Sequence, residues 1–135
     1  MIKSFDVQTK ERVQLVDVTA RIEAAVRAAG IANGACVVYV PHTTAGVTIQ
    51  ENSDPDLQHD LLAALAHAAP DQLPGPGFKH SEGNSAAHLK SSLVGCSVTV
   101  LVDGSELVLG TWQGIYLCEF DGPRTRRVLV RVLRG

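Results

Sequence analysis

The sequence predicts an α+β domain built on two layers of mostly antiparallel sheet. Segments with strand-like alternation outnumber segments with helical periodicity, and the two kinds do not alternate regularly, which argues against a parallel βαβ arrangement. The chain has 135 residues, a length that fits one domain with one core and needs no disulfide or metal to staple it. Hydrophobic residues make up 45% and charged residues 19%, too apolar a balance for disorder.

Taken in order, Val7, Val13 and Leu15 alternate with polar neighbours and predict an opening β-hairpin over residues 2–17. Asp17 and Thr19 offer N-caps for a helix that ends at Gly30, with Ile22, Ala25, Val26 and Ala29 as its apolar stripe. Two β segments, Ala35–Pro41 and Ala45–Ile49, flank the polar break His42-Thr43-Thr44. A second helix starts with Asp54 as N-cap, Pro55 at its first position and Asp56 near the positive end of its dipole. Leu57, Leu61, Leu65 and Ala68 form its inner face. Residues 70–77, with three prolines and two glycines, read as a loop within the domain. A short third helix covers Asn84–Leu93 and stops at Gly95. The remainder reads as antiparallel strands over Ser97–Val102, Leu107–Leu109, Thr111–Phe120 and Arg126–Leu133, with turns at Asp103-Gly104-Ser105 and Asp121-Gly122-Pro123.

Composition narrows the function. A net charge of −2 and only six aromatic residues argue against a nucleic-acid partner, which calls for a basic excess or stacking rings. No apolar run approaches the roughly 18 residues of a membrane span. Asp6 stands where a secretory signal needs its apolar stretch, so the expected location is cytoplasmic. Cys36, Cys96 and Cys118 are odd in number and widely spaced, and all three are expected to be buried, reduced residues.

Polar residues that look out of place fall in four clusters. The first, Pro41 through Gly46 and on to Glu51-Asn52-Ser53-Asp54-Pro55, sets an imidazole and two hydroxyls between apolar strands. The second, Lys79 through Lys90, puts Asn84 and His88 on one helix face with His80 in the preceding loop. Two imidazoles beside a carboxylate suit a divalent metal, although the spacing matches no established zinc signature, and a structural role is the alternative. In the third, Gly110-Thr111-Trp112-Gln113-Gly114, glycines permit close backbone approach, with Trp112 as a core residue the competing reading. The fourth, Glu119 to Arg127, places Arg124 and Arg126 in the same strand phase, as a two-pronged anion site. His59 and His67 lie off the leucine stripe and read as exposed.

Together the pattern HTTA, ENxDP, HxEGNxxAHLK, LGTWQ and EFDGPR resembles the YjbQ-like family, described as secondary thiamine-phosphate synthases, over essentially the whole chain. The resemblance implies a compact β-sandwich with flanking helices, a homotrimer with sites near subunit interfaces, and a histidine pocket for a metal or an anion. Carried over by motif, His42, His80 and His88 would hold a divalent metal, zinc or another, with magnesium possible on a diphosphate. Thr43, Thr44, Asn52, Lys90, Trp112, Gln113 and Arg124 would bind a phosphorylated metabolite. Glu51, Glu82 and Asn84 would orient groups or move protons. The implied side activity joins hydroxymethylpyrimidine diphosphate to a thiazole phosphate and expels pyrophosphate, a step driven chiefly by positioning and charge stabilisation. Metal-assisted hydrolysis of a phosphorylated metabolite, or binding without turnover, are the alternatives.

Overall fold

A computed structural model describes all 135 residues. The expected α+β class holds, with eight strands and three helices. The strands are β1 (Lys3–Gln8), β2 (Gln14–Asp17), β3 (Gly34–Tyr39), β4 (Ala45–Glu51), β5 (Ser97–Asp103), β6 (Glu106–Leu107), β7 (Gln113–Glu119) and β8 (Thr125–Arg134). The helices are α1 (Thr19–Ala29), α2 (Pro55–Ala68) and α3 (Ser85–Val94). A five-stranded sheet has the order β1-β8-β3-β5-β6 and a three-stranded sheet the order β2-β7-β4, with every pairing antiparallel.

The expected opening hairpin does not form. β1 pairs with β8 and β2 with β7, so residues 9–13 carry the chain from one sheet to the other. Both segments are strands as the sequence suggests, but their partners lie about a hundred residues or more away. Local pattern gives strand phase without naming the partner.

One core fills the space between the sheets. Val38, Val128 and Val130 from the larger sheet meet Val47, Ile115 and Leu117 from the smaller one, and Ile22 and Val26 of α1 close its side. A smaller cluster, centred on Ala87, Cys118 and Phe120, seats α3 on the outer face of the three-stranded sheet. Helix ends follow the local chemistry. Gly30 takes the left-handed conformation that ends α1, and Asp54 accepts the Asp56 amide at the start of α2. Asp17 accepts the Thr19 amide at 2.9 Å, while the Thr19 hydroxyl accepts from the Ile115 amide and ties α1 to β7.

Two further expectations change. Cys36 and Cys118 are buried but Cys96 is exposed, because it precedes β5 at the surface; all three are unpaired. Trp112 is 62% exposed rather than core, since it sits in the link before β7. His59 and His67 are exposed, as expected.

Candidate functional site

The site begins with the strand phase of β7 and β8. Ile115 and Leu117 point into the core, and the next residue in that phase is Glu119; Val132, Val130 and Val128 do the same, and the next is Arg126. The inward position at this end of each of these two strands is therefore charged. Both residues are buried, and the Arg126 guanidinium binds the Glu119 carboxylate through Nε at 2.9 and 3.1 Å and through its terminal nitrogen. The pair closes one end of the core and links the two sheets.

Around it the loops are fixed by hydrogen bonds. Glu119 accepts from the Thr9 hydroxyl at 2.7 Å and from the amides of Phe120 and Asp121 at 3.0 Å each. Arg126 donates to the Thr44 carbonyl at 3.0 Å and to its hydroxyl oxygen at 2.8 Å. Burial alone would raise the Glu119 carboxyl, but Arg126, the Thr9 hydroxyl and the Asp121 amide together hold it below its ordinary value. Sequence reasoning missed Glu119 and treated Arg126 as one prong of an anion site. The signal was available in the inward phase that each residue continues. Arg126 is spent on Glu119 and Thr44, so the two-pronged site is reduced to Arg124.

Above this pair opens a pocket of about 290 Å³ with ten lining residues, of which only Pro41 lacks a polar side chain. The break before β4 supplies His42, Thr43 and Thr44, the N-terminal end of α3 supplies Glu82, Asn84 and His88, and the link into β8 supplies Asp121, Arg124 and Arg126. Asp121 organises the rim: its carboxylate accepts from Asn84 and from Arg124, both at 2.9 Å, and its carbonyl accepts from the Arg124 Nε at 2.6 Å. Asn84 Oδ1 is left buried with no partner. His42 Nε2 accepts the Arg127 amide at 2.9 Å. Desolvation first, then the Arg126 and Arg124 charges, lower its pKa from the ordinary 6.5, against a raising effect of Glu119. At neutral pH His42 is thus uncharged, with its proton on Nδ1 as a donor.

The three histidines expected to share a metal are only partly assembled. His42 and His88 line the same pocket, whereas His80 lies edge-to-face against His88 with ring centroids 5.3 Å apart, beside Phe78 and Leu89 in an adjoining depression. His80 Nε2 is 3.7 Å from the Glu82 carboxylate. No three His, Cys, Asp or Glu side chains converge as a metal site. Ligation through the Nε2 of His42 would also cost it the Arg127 amide. As arranged, these residues do not fit a three-histidine metal centre; the orphaned Asn84 oxygen is the one donor that favours a cation.

Four other expected residues lie elsewhere. Glu51, Asn52, Trp112 and Gln113 gather at the far end of the three-stranded sheet, where Glu51 pairs with Gln113. β4 runs from Ala45 at the pocket to Glu51, about 20 Å at the usual rise of a strand. There Asn52 donates to the Gln113 carbonyl at 3.3 Å, and Gln113 Oε1 accepts the Gly110 amide at 2.8 Å. Lys90 is also absent from the pocket. It follows His88 by two residues, about 200° around a helix, and is buried on the opposite side of α3.

The architecture is thus a two-sheet, mostly antiparallel α+β domain with a polar pocket over a buried ion pair. The chain belongs to the family described as UPF0047 protein YjbQ-like, whose model matches residues 3–135. It is 47% identical over 133 residues to YugU of Bacillus subtilis, covering 98% of this chain and 99% of that one. A UPF0047 protein of Methanocaldococcus jannaschii is also 47% identical, over 98% of this chain and 94% of its own length. Among solved structures, an uncharacterised YjbQ/UPF0047 family protein of Clostridium acetobutylicum matches with a TM-score of 0.92 at 44% identity, covering 97% of this chain and 99% of that one. A YbjQ-like protein of unknown function from Sulfolobus solfataricus matches with a TM-score of 0.93 at 33% identity, covering 100% and 97%.

Proposed function

We propose that the pocket over the Glu119–Arg126 pair binds a phosphorylated metabolite and supports a thiamine-phosphate-synthase-like transfer as a side activity. The supporting observation is the lining: polar side chains at nine of ten positions suit a ligand rich in oxygen and poor in hydrocarbon. In this reading the Nδ1 proton of His42, the Thr43 hydroxyl and the Arg124 guanidinium hold phosphate oxygens. Asn84 fixes the rim through Asp121. Arg126 and Arg124 are already paired with acids, so the pocket offers neutral donors with one displaceable guanidinium. That modest charge suits a side activity better than a dedicated diphosphate enzyme.

The reaction joins the pyrimidine methylene carbon to the thiazole nitrogen as the carbon–oxygen bond to the diphosphate breaks and pyrophosphate leaves with that electron pair. The chain's part is to align the two substrates and hold the departing oxygens. The homotrimer and a cytoplasmic location belong to the same proposal. A divalent ion enters it only through Asn84 Oδ1 and His88, because both ring nitrogens of His42 are committed in this reading, and metal analysis of protein purified without a histidine tag decides that component. The test of function is pyrophosphate release measured with each substrate alone and with both. Release only with both, reduced at least about tenfold in Arg124→Ala, is the expected result. Phosphate release from a single ester would make the protein a hydrolase, and binding without turnover would remove the catalytic claim.

A further inference from the structure

We infer that a second pocket, floored by Lys90 between α2 and α3, binds a small organic carboxylate. Lys90 is only 3% exposed, yet its ammonium makes no hydrogen bond or ion pair within the chain. The stem of Lys90 is buried while its ammonium reaches the cavity without a protein partner, so it presents one unneutralised positive charge to whatever occupies that space. The nearest acid, Asp71, is engaged: Arg12 binds both of its carboxylate oxygens, at 2.9 and 2.8 Å. Lys90 instead faces a cavity of about 320 Å³.

The walls select the ligand. Val13, Leu62, Ala63 and Ala66 give half of the lining as hydrocarbon, with Arg12, His59, Asp71 and Lys90 as the other half, in contrast to the pocket over Glu119. One ammonium matches one negative charge, and the Arg12–Asp71 pair at the rim adds no net charge. A monoanion with an apolar body fits this arrangement, whereas a phosphate dianion would set much of its polar surface against hydrocarbon. Desolvation lowers the Lys90 pKa, opposed by Asp71 and assisted by Arg12, as expected of an ammonium short of a counter-ion. The site lies on the opposite side of α3 from His88 and does not depend on the function proposed above.

Sodium benzoate and sodium phosphate serve as separate probes in an amide chemical-shift titration of the full chain. Benzoate is expected to cause saturable shifts at Ala63, Ala66 and Lys90, with phosphate causing weaker ones. Lys90→Met removes the charge while keeping the length and is expected to weaken benzoate by about tenfold or more. Ala66→Leu leaves Lys90 intact and fills the cavity, and is expected to weaken benzoate similarly. Absence of saturable benzoate shifts, tighter binding of phosphate, or unchanged affinity in either variant would overturn the inference.

Discussion

At the scale of single residues, the Glu119–Arg126 pair decides most about this molecule. Two inward strand positions that would ordinarily be apolar carry opposite charges, and their hydrogen bonds reach Thr9, Thr44 and the turn leading to Arg124. Removing one partner strands a buried charge, whereas replacing both with hydrocarbon does not. Glu119→Ala is therefore expected to cost about 3 to 5 kcal/mol in urea unfolding, and the double variant Glu119→Leu/Arg126→Met to recover most of it. Recovered stability without recovered pyrophosphate release would assign the pair to positioning Thr44 and Arg124. A cost below about 1 kcal/mol for Glu119→Ala would mean that the pair does not hold this end closed. The sequence made both residues visible but not their pairing. Arg126 reads as one prong of an anion site until β8 is known to bury its alternate residues.

At the scale of elements, helix ends were legible and strand partners were not. Asp54, Pro55, Gly30 and Gly95 mark their boundaries through local chemistry that any short window contains. The shared face of Asn84 and His88 was legible for the same reason, and the opposite placement of Lys90 follows from the same periodicity. The failed hairpin depended on a partner that local pattern cannot name. How α3 is seated is likewise a non-local matter. A Cβ on Gly46 would lie 2.5 Å from the Gly95 carbonyl oxygen and 3.2 Å from Val94 Cγ1, so the bare Gly46 lets β4 approach the end of α3. Ser91 reinforces the contact by donating to the Ala45 carbonyl at 2.7 Å. Gly46→Ala is expected to push α3 outward and cost about 1 to 3 kcal/mol in chemical denaturation. Because α3 carries His88 and begins at Asn84, its N-cap, pyrophosphate release should fall with it; unchanged stability would show that the helix end yields without strain.

At the scale of the whole molecule, the family motifs divide between two ends of one sheet. The His42 pocket lies at one end of β4, while Glu51, Asn52, Trp112 and Gln113 lie at the other, about 20 Å away by strand length. Side chains of a single protomer cannot meet one small substrate across that span. If both groups act on the same substrate, they come together across copies, which fits the proposed trimer and the exposure of Trp112. The consequence is measurable by mixing two inactive variants. His42→Ala disables one half of every site and Glu51→Gln the other, so each variant alone is expected to lack pyrophosphate release. After co-refolding in equal amounts, a shared site is intact when an unaltered His42 half meets an unaltered Glu51 half. Random assembly then restores about one quarter of wild-type activity. Sites built within single protomers would recover nothing on mixing, and that outcome would return Glu51 and its neighbours to a structural role at the end of the sheet.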